Sequence, residues 1–377
     1  MQRIGSKMEV YLDNNSTTQI DTRVQNIYID SMKTFANVNV KYNKGNDTRE
    51  LLNNAYDTLY EELGADDKDD IILTSSASEG NNTVIKTFLD AFLKGSTKNH
   101  IISTIDEDSS ILSALLYCKE MGMKITYLDT HENGQIDIKE LESSITPNTS
   151  LISILMASSY TGAIQNTQEI SKIAKKNNVY LHCDGSQAIG KMEIDVADLG
   201  VDYLSFSAHK FHGPKGIGAL YVKEDVPFIP LIHGTKNIMG GKRAGSLYNN
   251  GVAAMATALE IANINLSYFN NTIQTLRNKL EDELLKINGS KSYIKREHRL
   301  DNSLAISFDK VKNETIQWNM NKNNIYISTA SQDEIKIEKN NDIIVFSLSR
   351  FTTEEEIDYV IKKVNLAVDK IKNIKSN

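Results

Sequence analysis

Cysteine, proline and long apolar runs are all scarce in this chain of 377 residues. Its two cysteines, Cys118 and Cys183, form neither a disulfide framework nor a metal-ligand cluster, so we expect a reducing, cytoplasmic setting. No apolar run of about 18 residues occurs, and "MQRIGSKMEVYLDNNSTT" lacks a signal-peptide core, so we expect neither secretion nor membrane insertion. The content of 4 prolines and 20 glycines excludes collagen-like and disordered classes.

The chain also lacks a basic excess. Its net charge of −7 argues against a nucleic-acid partner, because binding a phosphate backbone requires a basic face. The hydrophobic fraction of 40% and the charged fraction of 24% are typical of a soluble globular protein. The length favours more than one domain.

Short apolar runs that predict buried strands recur along the first part of the chain. They are "IILT" (71–74), "HIIST" (100–104), "ITYL" (125–128), "LISIL" (151–155), "VYLHC" (179–183), "YLSFS" (203–207) and "IGALYV" (217–222). Segments with helical spacing separate several of them, which predicts an α/β domain whose mainly parallel sheet is covered on both faces. A short glycine turn joins the last two runs, so we expect that pair to be antiparallel.

The pattern changes from about residue 253. One long helical stretch, or two in series, precedes the short strands "LAISF", "IYIS" and "IIVFSL". A capping box of Thr353 and Glu356 opens the last helix, and an apolar stripe follows it from Ile357 to Ile371. We therefore expect a second, smaller α+β domain.

The stretch "YLSFSAHKFHGPKGIGALYV" places Lys210 between a predicted buried strand and a glycine-rich turn. A lysine there needs a partner, because an ammonium group taken out of water must be compensated or lose its charge. The glycines do not make a phosphate loop, since Ala219 and Leu220 stand where lysine and serine or threonine are required. They also lead into a strand, which excludes a dinucleotide fingerprint. His209 and His212 have no acidic or cysteine partner nearby, so we predict no metal site.

Polar residues follow two other predicted strands. "HCDGSQAIG" puts Asp184 at the carboxyl end of a strand, where ligands bind in parallel sheets. "TSSASEGNN" puts Ser75, Ser76 and Ser78 before a helix, whose amino terminus favours anions. One ligand needs a carboxylate, a phosphate site and a lysine together, and that ligand is pyridoxal phosphate. The competing interpretation makes Asp184 a helix cap, Ser78 a turn residue and Lys210 a surface lysine.

Several motifs now carry a family resemblance: "VYLDNNSTTQID", "ILTSSASEGNN", "HCDGSQAIGKMEID", "DYLSFSAHKFHGPKGIGALYVK", "KRAGS" and "FSLSRFTTEEEIDYVI". The chain resembles the class V aminotransferases, and most closely the cysteine desulfurases of the NifS and IscS type. The resemblance implies the α/β fold of aspartate aminotransferase, fold type I, with a mainly parallel seven-stranded sheet. A large cofactor-binding domain would cover residues 16–252, and a small domain would combine residues 1–15 with 253–377.

The resemblance also implies roles for individual residues. Lys210 would form the Schiff base with pyridoxal phosphate, Asp184 would pair with the pyridine nitrogen, and Gln187 would hydrogen-bond the ring hydroxyl. The other implied cofactor contacts are Ala77, Ser78, Ser207 and His209 at the phosphate, Ser159 near the ring hydroxyl, and Ser246 from the second subunit of a homodimer with composite sites.

The chain departs from the desulfurases where the substrate binds. Asp108 replaces a histidine that stacks on the cofactor, and Ser159 replaces an asparagine. Val345 replaces the arginine that takes the substrate carboxylate. The loop that carries the catalytic cysteine in the desulfurases is shortened here to "STASQDEIKIEKNN" and has no cysteine.

Neither of the two cysteines in this chain is expected to replace the catalytic cysteine of the desulfurases. Cys183 precedes Asp184 on a strand, so alternation turns its thiol away from the ligand. Cys118 falls within an apolar helix and is expected to lie in the core. A persulfide mechanism therefore has no nucleophile.

The departures leave several explanations open. Arg350 or Arg243 could compensate for the missing arginine, the substrate could lack a free carboxylate, or turnover could be lost. Asp108 could act as a base, bind an amine or reflect relaxed constraint.

The leading hypothesis is a pyridoxal-phosphate-dependent enzyme that acts on an amine or amino-acid-like substrate through a Lys210 aldimine. The reaction would be elimination, including C–S cleavage, or transamination, which "SSYTG" slightly favours. The candidate catalytic residues are Lys210, which would move a proton, Asp108 and His209. The alternative is a catalytically silent cofactor-binding scaffold in a sulfur-transfer or modification pathway.

Overall fold

Two β-sheets, one of seven strands and one of five, organise the part of the chain that the structure describes. The computed structural model describes residues 8–235, 239–330 and 342–376. Within those ranges, no helix has the length and apolar character that crossing a bilayer requires.

Strands and helices alternate along most of the described chain. Its strands are β1 (Val10–Leu12), β2 (Asp70–Thr74), β3 (His100–Thr104), β4 (Lys124–Leu128), β5 (Thr149–Leu155), β6 (Tyr180–Asp184), β7 (Tyr203–Ser207), β8 (Gly218–Val222), β9 (Ser290–Ser292), β10 (Ser303–Phe308), β11 (Ile325–Ala330) and β12 (Ile343–Ser347). Its helices are α1 (Thr22–Ser31), α2 (Asn43–Leu63), α3 (Ala77–Leu93), α4 (Ser109–Glu120), α5 (Ile138–Ser144), α6 (Thr167–Lys176), α7 (Val196–Leu199), α8 (Asn249–Ile264), α9 (Leu266–Tyr268), α10 (Gln274–Leu284), α11 (Asn313–Lys322) and α12 (Glu354–Ser376).

The larger sheet has the strand order β2-β8-β7-β6-β5-β3-β4. Strands β3 to β7 are parallel, whereas β8 runs antiparallel to both β7 and β2. Every residue of β3, β5, β7 and β8 is buried, because helices pack on both faces of the sheet. The seven predicted strands and the antiparallel last pair are therefore confirmed.

The smaller sheet has the order β1-β11-β12-β10-β9. Its own apolar core includes residues of β1, α10, α11 and α12. The predicted capping box before α12 is confirmed, since the amide of Thr353 donates to Glu356 Oε2 at 2.8 Å and the amide of Glu356 donates to Thr353 Oγ1 at 3.2 Å. The helical stretch after residue 253 belongs to α8, α9 and α10, in series. Domain limits at residues 16–252 stay a prediction.

Candidate active site

A cavity of about 460 Å³ opens at the carboxyl ends of β5, β6 and β7, next to the amino terminus of α3. This is the edge where parallel sheets bind ligands. The predicted site residues that line it are Ala77, Ser78, Asp108, Ser159, Asp184, Gln187, Ser207, His209 and Lys210. Ser246 is not among the lining residues, and it borders a different groove with residues 35–38.

Lys210 ends a short turn that directly follows β7. Its Nζ donates to the backbone oxygen of Asn15 at 2.6 Å and to that of Ser16 at 2.9 Å. Burial lowers the pKa of this amine, although the negative charges of Asp184, Asp108 and Asp13 act in the opposite direction. Lys210 therefore has a larger neutral fraction than an exposed lysine, and a neutral amine is the form that attacks a carbonyl carbon.

Asp184 is the last residue of β6, and only 5% of it is exposed. Asn81 Nδ2 donates to Oδ2 at 2.8 Å, and the amide of Ser186 donates to Oδ1 at 2.8 Å. Burial nevertheless raises the pKa of this carboxyl. A protonated ring nitrogen placed beside it would favour the ionised form, because a nearby positive charge stabilises a carboxylate.

The amino terminus of α3 forms the anion-binding side of the cavity. Ser76, Ala77 and Ser78 line it there, and the Ala77 amide donates to Ser207 Oγ at 2.7 Å. The chain passes close to β8 at this point, since a Cβ added at Gly218 would lie 3.0 Å from the Cα of Ser76. Amide groups at a helix terminus are suited to a phosphate.

His209 lies beside Lys210, and its Nδ1 is 3.1 Å from Thr17 Oγ1. Burial and the positive charge of Lys210 lower the pKa of His209 to about 4. At neutral pH the ring is therefore uncharged, so it contributes hydrogen bonds to the site but no positive charge.

Asn15 connects the parts of the site, and the sequence interpretation missed it. Its backbone oxygen accepts from both Lys210 and Gln187, and its Nδ2 donates to the backbone oxygen of Ser159 at 3.0 Å. Lys191, which was also missed, donates to Gln187 Oε1 at 2.7 Å and to Asn15 Oδ1 at 3.2 Å. Burial, with a smaller contribution from Lys210, lowers the pKa of Lys191 well below its ordinary value. No local pattern marks either residue, because these contacts arise only in the tertiary structure.

Asp108 has a structural role in addition to its place in the cavity wall. It is the N-cap of α4, and its Oδ1 accepts from the amide of Ser110 at 2.8 Å and from Ser110 Oγ at 2.6 Å. Aspartate followed by serines before a helix is a common capping pattern, so the sequence did contain this signal.

Glu107 holds the loop before α4 against the sheet. Its Oε1 accepts from the amide of Leu155 at 2.9 Å and from Thr104 Oγ1 at 3.0 Å. Burial raises the pKa of Glu107 well above its ordinary value, although the hydrogen bonds from Leu155 and Thr104 act in the opposite direction. The neighbouring Asp106 and Asp108 are thereby fixed in the cavity wall.

Neither arginine considered as a substitute for the missing one lines the cavity. Arg350 Nη2 pairs with Asp21 Oδ2 at 2.6 Å, and Arg243 Nε pairs with Glu79 Oε1 at 3.0 Å. The aligned position is occupied by Val345, which lines the cavity and is 1% exposed.

Both cysteines are fully buried in apolar clusters, as expected from the sequence. Burial raises the pKa of Cys118 to about 11 and that of Cys183 well above its ordinary value. Neither lines the cavity. The cysteine-free loop over 331–341 lies outside the described residues.

The residues present fit pyridoxal phosphate. One cavity brings together a buried carboxylate, a helix amino terminus and a desolvated lysine amine. These groups suit a pyridine nitrogen, a phosphate and an aldehyde, respectively.

Comparisons with known proteins agree with this chemistry. The family described as "Aminotransferase class-V" matches residues 10–360. The chain is 32% identical to a cysteine desulfurase IscS of Dictyoglomus turgidum over 98% of this chain and 96% of that protein, and 33% identical to one of Clostridium botulinum over 94% and 93%. A solved NifS-like protein superposes with a TM-score of 0.91 at 34% identity, over 96% of this chain and 100% of the other. A NifS-like protein from Rickettsia africae gives a TM-score of 0.87 at 27% identity, over 96% and 100%.

Proposed function

Because this chain belongs to the class V aminotransferase family, whose members depend on pyridoxal phosphate, we propose that it is an enzyme acting on an amine or amino-acid-like substrate through Lys210. The reaction is an elimination, including C–S cleavage, or a transamination. No cysteine persulfide takes part.

One observation carries this proposal. The amine of Lys210 and the carboxylate of Asp184 face the same cavity, whereas Cys118 and Cys183 lie in the core. The cavity thus has the groups needed to bind the cofactor but no thiol for a persulfide among its described lining residues.

The cofactor contacts follow from the site. Asp184, supported by Asn81, would hold the ring nitrogen, and Gln187 with Ser159 would lie near the ring hydroxyl. The residues proposed for the phosphate are Ala77, Ser78, Ser207 and His209, together with Ser246 of the partner subunit. When bound, pyridoxal phosphate supplies an electron sink for negative charge on the substrate carbon beside the amine nitrogen.

Lys210 would move the proton at that carbon. Its amine is half-buried, has a lowered pKa and is oriented by the backbone oxygens of Asn15 and Ser16. A base whose pKa is brought toward the working pH transfers protons more effectively. Asp108 is proposed as a second polar group at the cavity wall, where its carboxylate also caps α4.

A homodimer completes the proposal. Ser246 lies away from the cavity of its own chain, next to residues 35–38. Phe35 in that segment is 80% exposed, which is unusual for a large apolar side chain. We propose that this face meets a second copy, and light scattering should then give the mass of two chains.

The cofactor assignment is tested by visible absorption. The purified wild type, with added pyridoxal phosphate if required, should show the visible band of cofactor bound to lysine. Lys210→Ala should abolish the band, whereas Lys215→Ala, a change at an exposed lysine on the same loop, should retain it. A colourless wild type that takes up no added cofactor would show that the assignment is wrong.

Turnover is tested with a panel of amines and amino acids. A spectral change on addition of one of these compounds supports the proposal of an enzyme. No spectral change with any compound supports the alternative of a catalytically silent scaffold. The helix-capping role of Asp108 also favours that alternative, because it explains this residue without catalysis. Sulfide release from cysteine should be negligible. Rapid release with a protein persulfide would contradict the mechanism.

A further inference from the structure

The described lining of the Lys210 cavity has more acidic than basic side chains. Asp13, Asp106, Asp108 and Asp184 contribute carboxyl groups, whereas Lys210 is its only lysine and no arginine is present among these lining residues. His209 adds no charge at neutral pH, because its pKa is about 4. If Asp184 and Lys210 bind the cofactor, the remaining acidic side chains of the described lining are Asp13, Asp106 and Asp108, of which Asp106 also accepts a hydrogen bond from Thr130.

The acidic groups act on the reactive amine itself. Asp13 and Asp108, together with Asp184, each exert a favourable electrostatic interaction on the Lys210 ammonium. Asp13 follows β1 and bridges to Ser347, the last residue of β12, at the edge of the smaller sheet. A substrate amine that approaches Lys210 therefore enters a region of negative potential, which attracts cations and repels anions.

A carboxylate on the substrate would find no counter-charge at the wall. Val345 pairs with Ser328 across β12 and β11, and both residues line the cavity. The Val345 side chain offers only apolar surface, so a carboxylate placed against it would lose water without gaining a hydrogen bond.

The two arginines considered as a source of such a counter-charge are engaged elsewhere. Arg350 and Asp21 form a pair in which the side chains are 7% and 4% exposed. Arg243 is paired with Glu79, whose side chain is 9% exposed. Separating the buried Arg350–Asp21 pair would leave an uncompensated charge, which opposes movement of this guanidinium toward the cavity. The Arg243 side chain is 23% exposed, so its movement would cost less but would still break the pair with Glu79.

From these observations we infer that the substrate is a primary amine without a carboxylate on the carbon that bears the nitrogen, and that Asp13 and Asp108 favour one with a second cationic group. This inference rests on the proposed function and narrows its substrate class. A short diamine meets both conditions, with one amine directed to Lys210 and the other to the carboxylates.

The test compares pairs of compounds that differ only by the carboxylate. The holoprotein is titrated with ethanolamine and serine, with cysteamine and cysteine, and with cadaverine and lysine, while the visible spectrum is followed. The half-saturating concentration should be at least about tenfold lower for the member without the carboxylate, with cadaverine the tightest of the six. Equal or tighter binding of the carboxylated members would overturn the inference.

Two variants test whether the Asp13 carboxylate binds the second amine of a diamine. Asp13→Asn should raise the half-saturating concentration of cadaverine about tenfold but that of ethanolamine by less than about threefold, because only cadaverine carries a second charge. Asp225→Asn, at an exposed aspartate after β8, should change neither value. An equal effect of Asp13→Asn on both amines would contradict the role given to that carboxylate.

The outcomes separate this inference from the function on which it depends. Spectral changes with serine, cysteine or lysine alone would overturn the inference and leave the proposed enzyme standing. If the visible band depends on Lys210 but no compound of either kind alters it, both the inference and the proposed turnover fail, and only the cofactor assignment remains.

Discussion

Glu281 on α10 forms a buried ion cluster whose loss should be measurable. Its Oε2 accepts from Arg299 Nη2 at 2.5 Å and from Arg296 Nε at 2.6 Å, and Ser292 Oγ donates to Oε1 at 2.5 Å. The Glu281 side chain is 5% exposed and that of Arg299 is fully buried. Replacement by glutamine preserves the shape but leaves the Arg299 charge without its partner.

The magnitude follows from the pKa of Glu281. Burial acts to raise it, but hydrogen bonds from Arg299, Ser292 and Arg296, with the charge of Arg299, outweigh burial and lower it from 4.5 to about 2. Each pKa unit corresponds to about 1.4 kcal/mol, so ionised Glu281 contributes about 3 kcal/mol at pH 7. Removing one partner of a buried pair costs a similar ~3–5 kcal/mol.

The sign of the pH dependence is fixed by the same values. A carboxyl whose folded pKa is depressed contributes its full stability above the unfolded value of 4.5 and loses it as the pH falls toward 2. The difference in the free energy of unfolding between wild type and Glu281→Gln should therefore decrease from about 3 kcal/mol at pH 7 to about 1 kcal/mol at pH 3.

Urea unfolding provides the assay. Trp318, the single tryptophan, lies on α11, which packs in the same apolar core as α10, so its fluorescence reports on this part of the protein. The control is Glu283→Gln, because Glu283 lies on the same helix as Glu281 but pairs with Lys286 at the surface. It should lower the free energy of unfolding by less than about 0.5 kcal/mol. A Glu281→Gln protein as stable as this control, or a difference that does not vary with pH, would refute the reasoning.

Three further results are expected. Asn81→Ala removes the hydrogen bond to Asp184 and should weaken binding of pyridoxal phosphate to the apoprotein about tenfold in absorbance titrations, whereas unchanged binding would exclude this support. Gly218→Ala would place a Cβ 2.4 Å from a backbone oxygen of β7 and should lower the free energy of unfolding by at least about 1 kcal/mol in urea, and no loss would contradict the close packing. A thiol reagent should label Cys118 and Cys183 only after unfolding, so rapid labelling of the folded protein would contradict their burial.

The larger sheet could be predicted from the sequence because its strands are continuous apolar runs buried on both faces. The smaller sheet was predicted less completely. β1 and β9 are only three residues long, and β9 reads Ser-Lys-Ser, so neither has a recognisable strand pattern. β1 pairs with β11, which lies far away in the sequence. β9 pairs with β10, whose apolar residues supply the core that β9 lacks.

Some residues of the candidate site could likewise be predicted from the sequence, and others could not. The positions of Asp184 and Lys210 could be predicted, because Asp184 ends one strand and Lys210 follows another at the ligand-binding edge of the sheet. Asn15 and Lys191 could not, because their partners come from distant segments and neither residue stands in a pattern with its own meaning. Val345 was assigned its place from the resemblance, but only the structure shows Arg350 paired with Asp21.

The pairing of β1 with β11 affects the order in which the protein can form on the ribosome. Val10 pairs with Ile325, so β1 must wait for most of the chain to be synthesised. The strands of the larger sheet all lie between residues 70 and 222 and can pair much earlier. Asn15, whose amide donates to Ser347 Oγ and whose Nδ2 donates to Ser303 Oγ, is therefore fixed late. A nascent chain that stops before β11 could therefore form the larger sheet while Lys210 still lacks its hydrogen bond to a fixed Asn15.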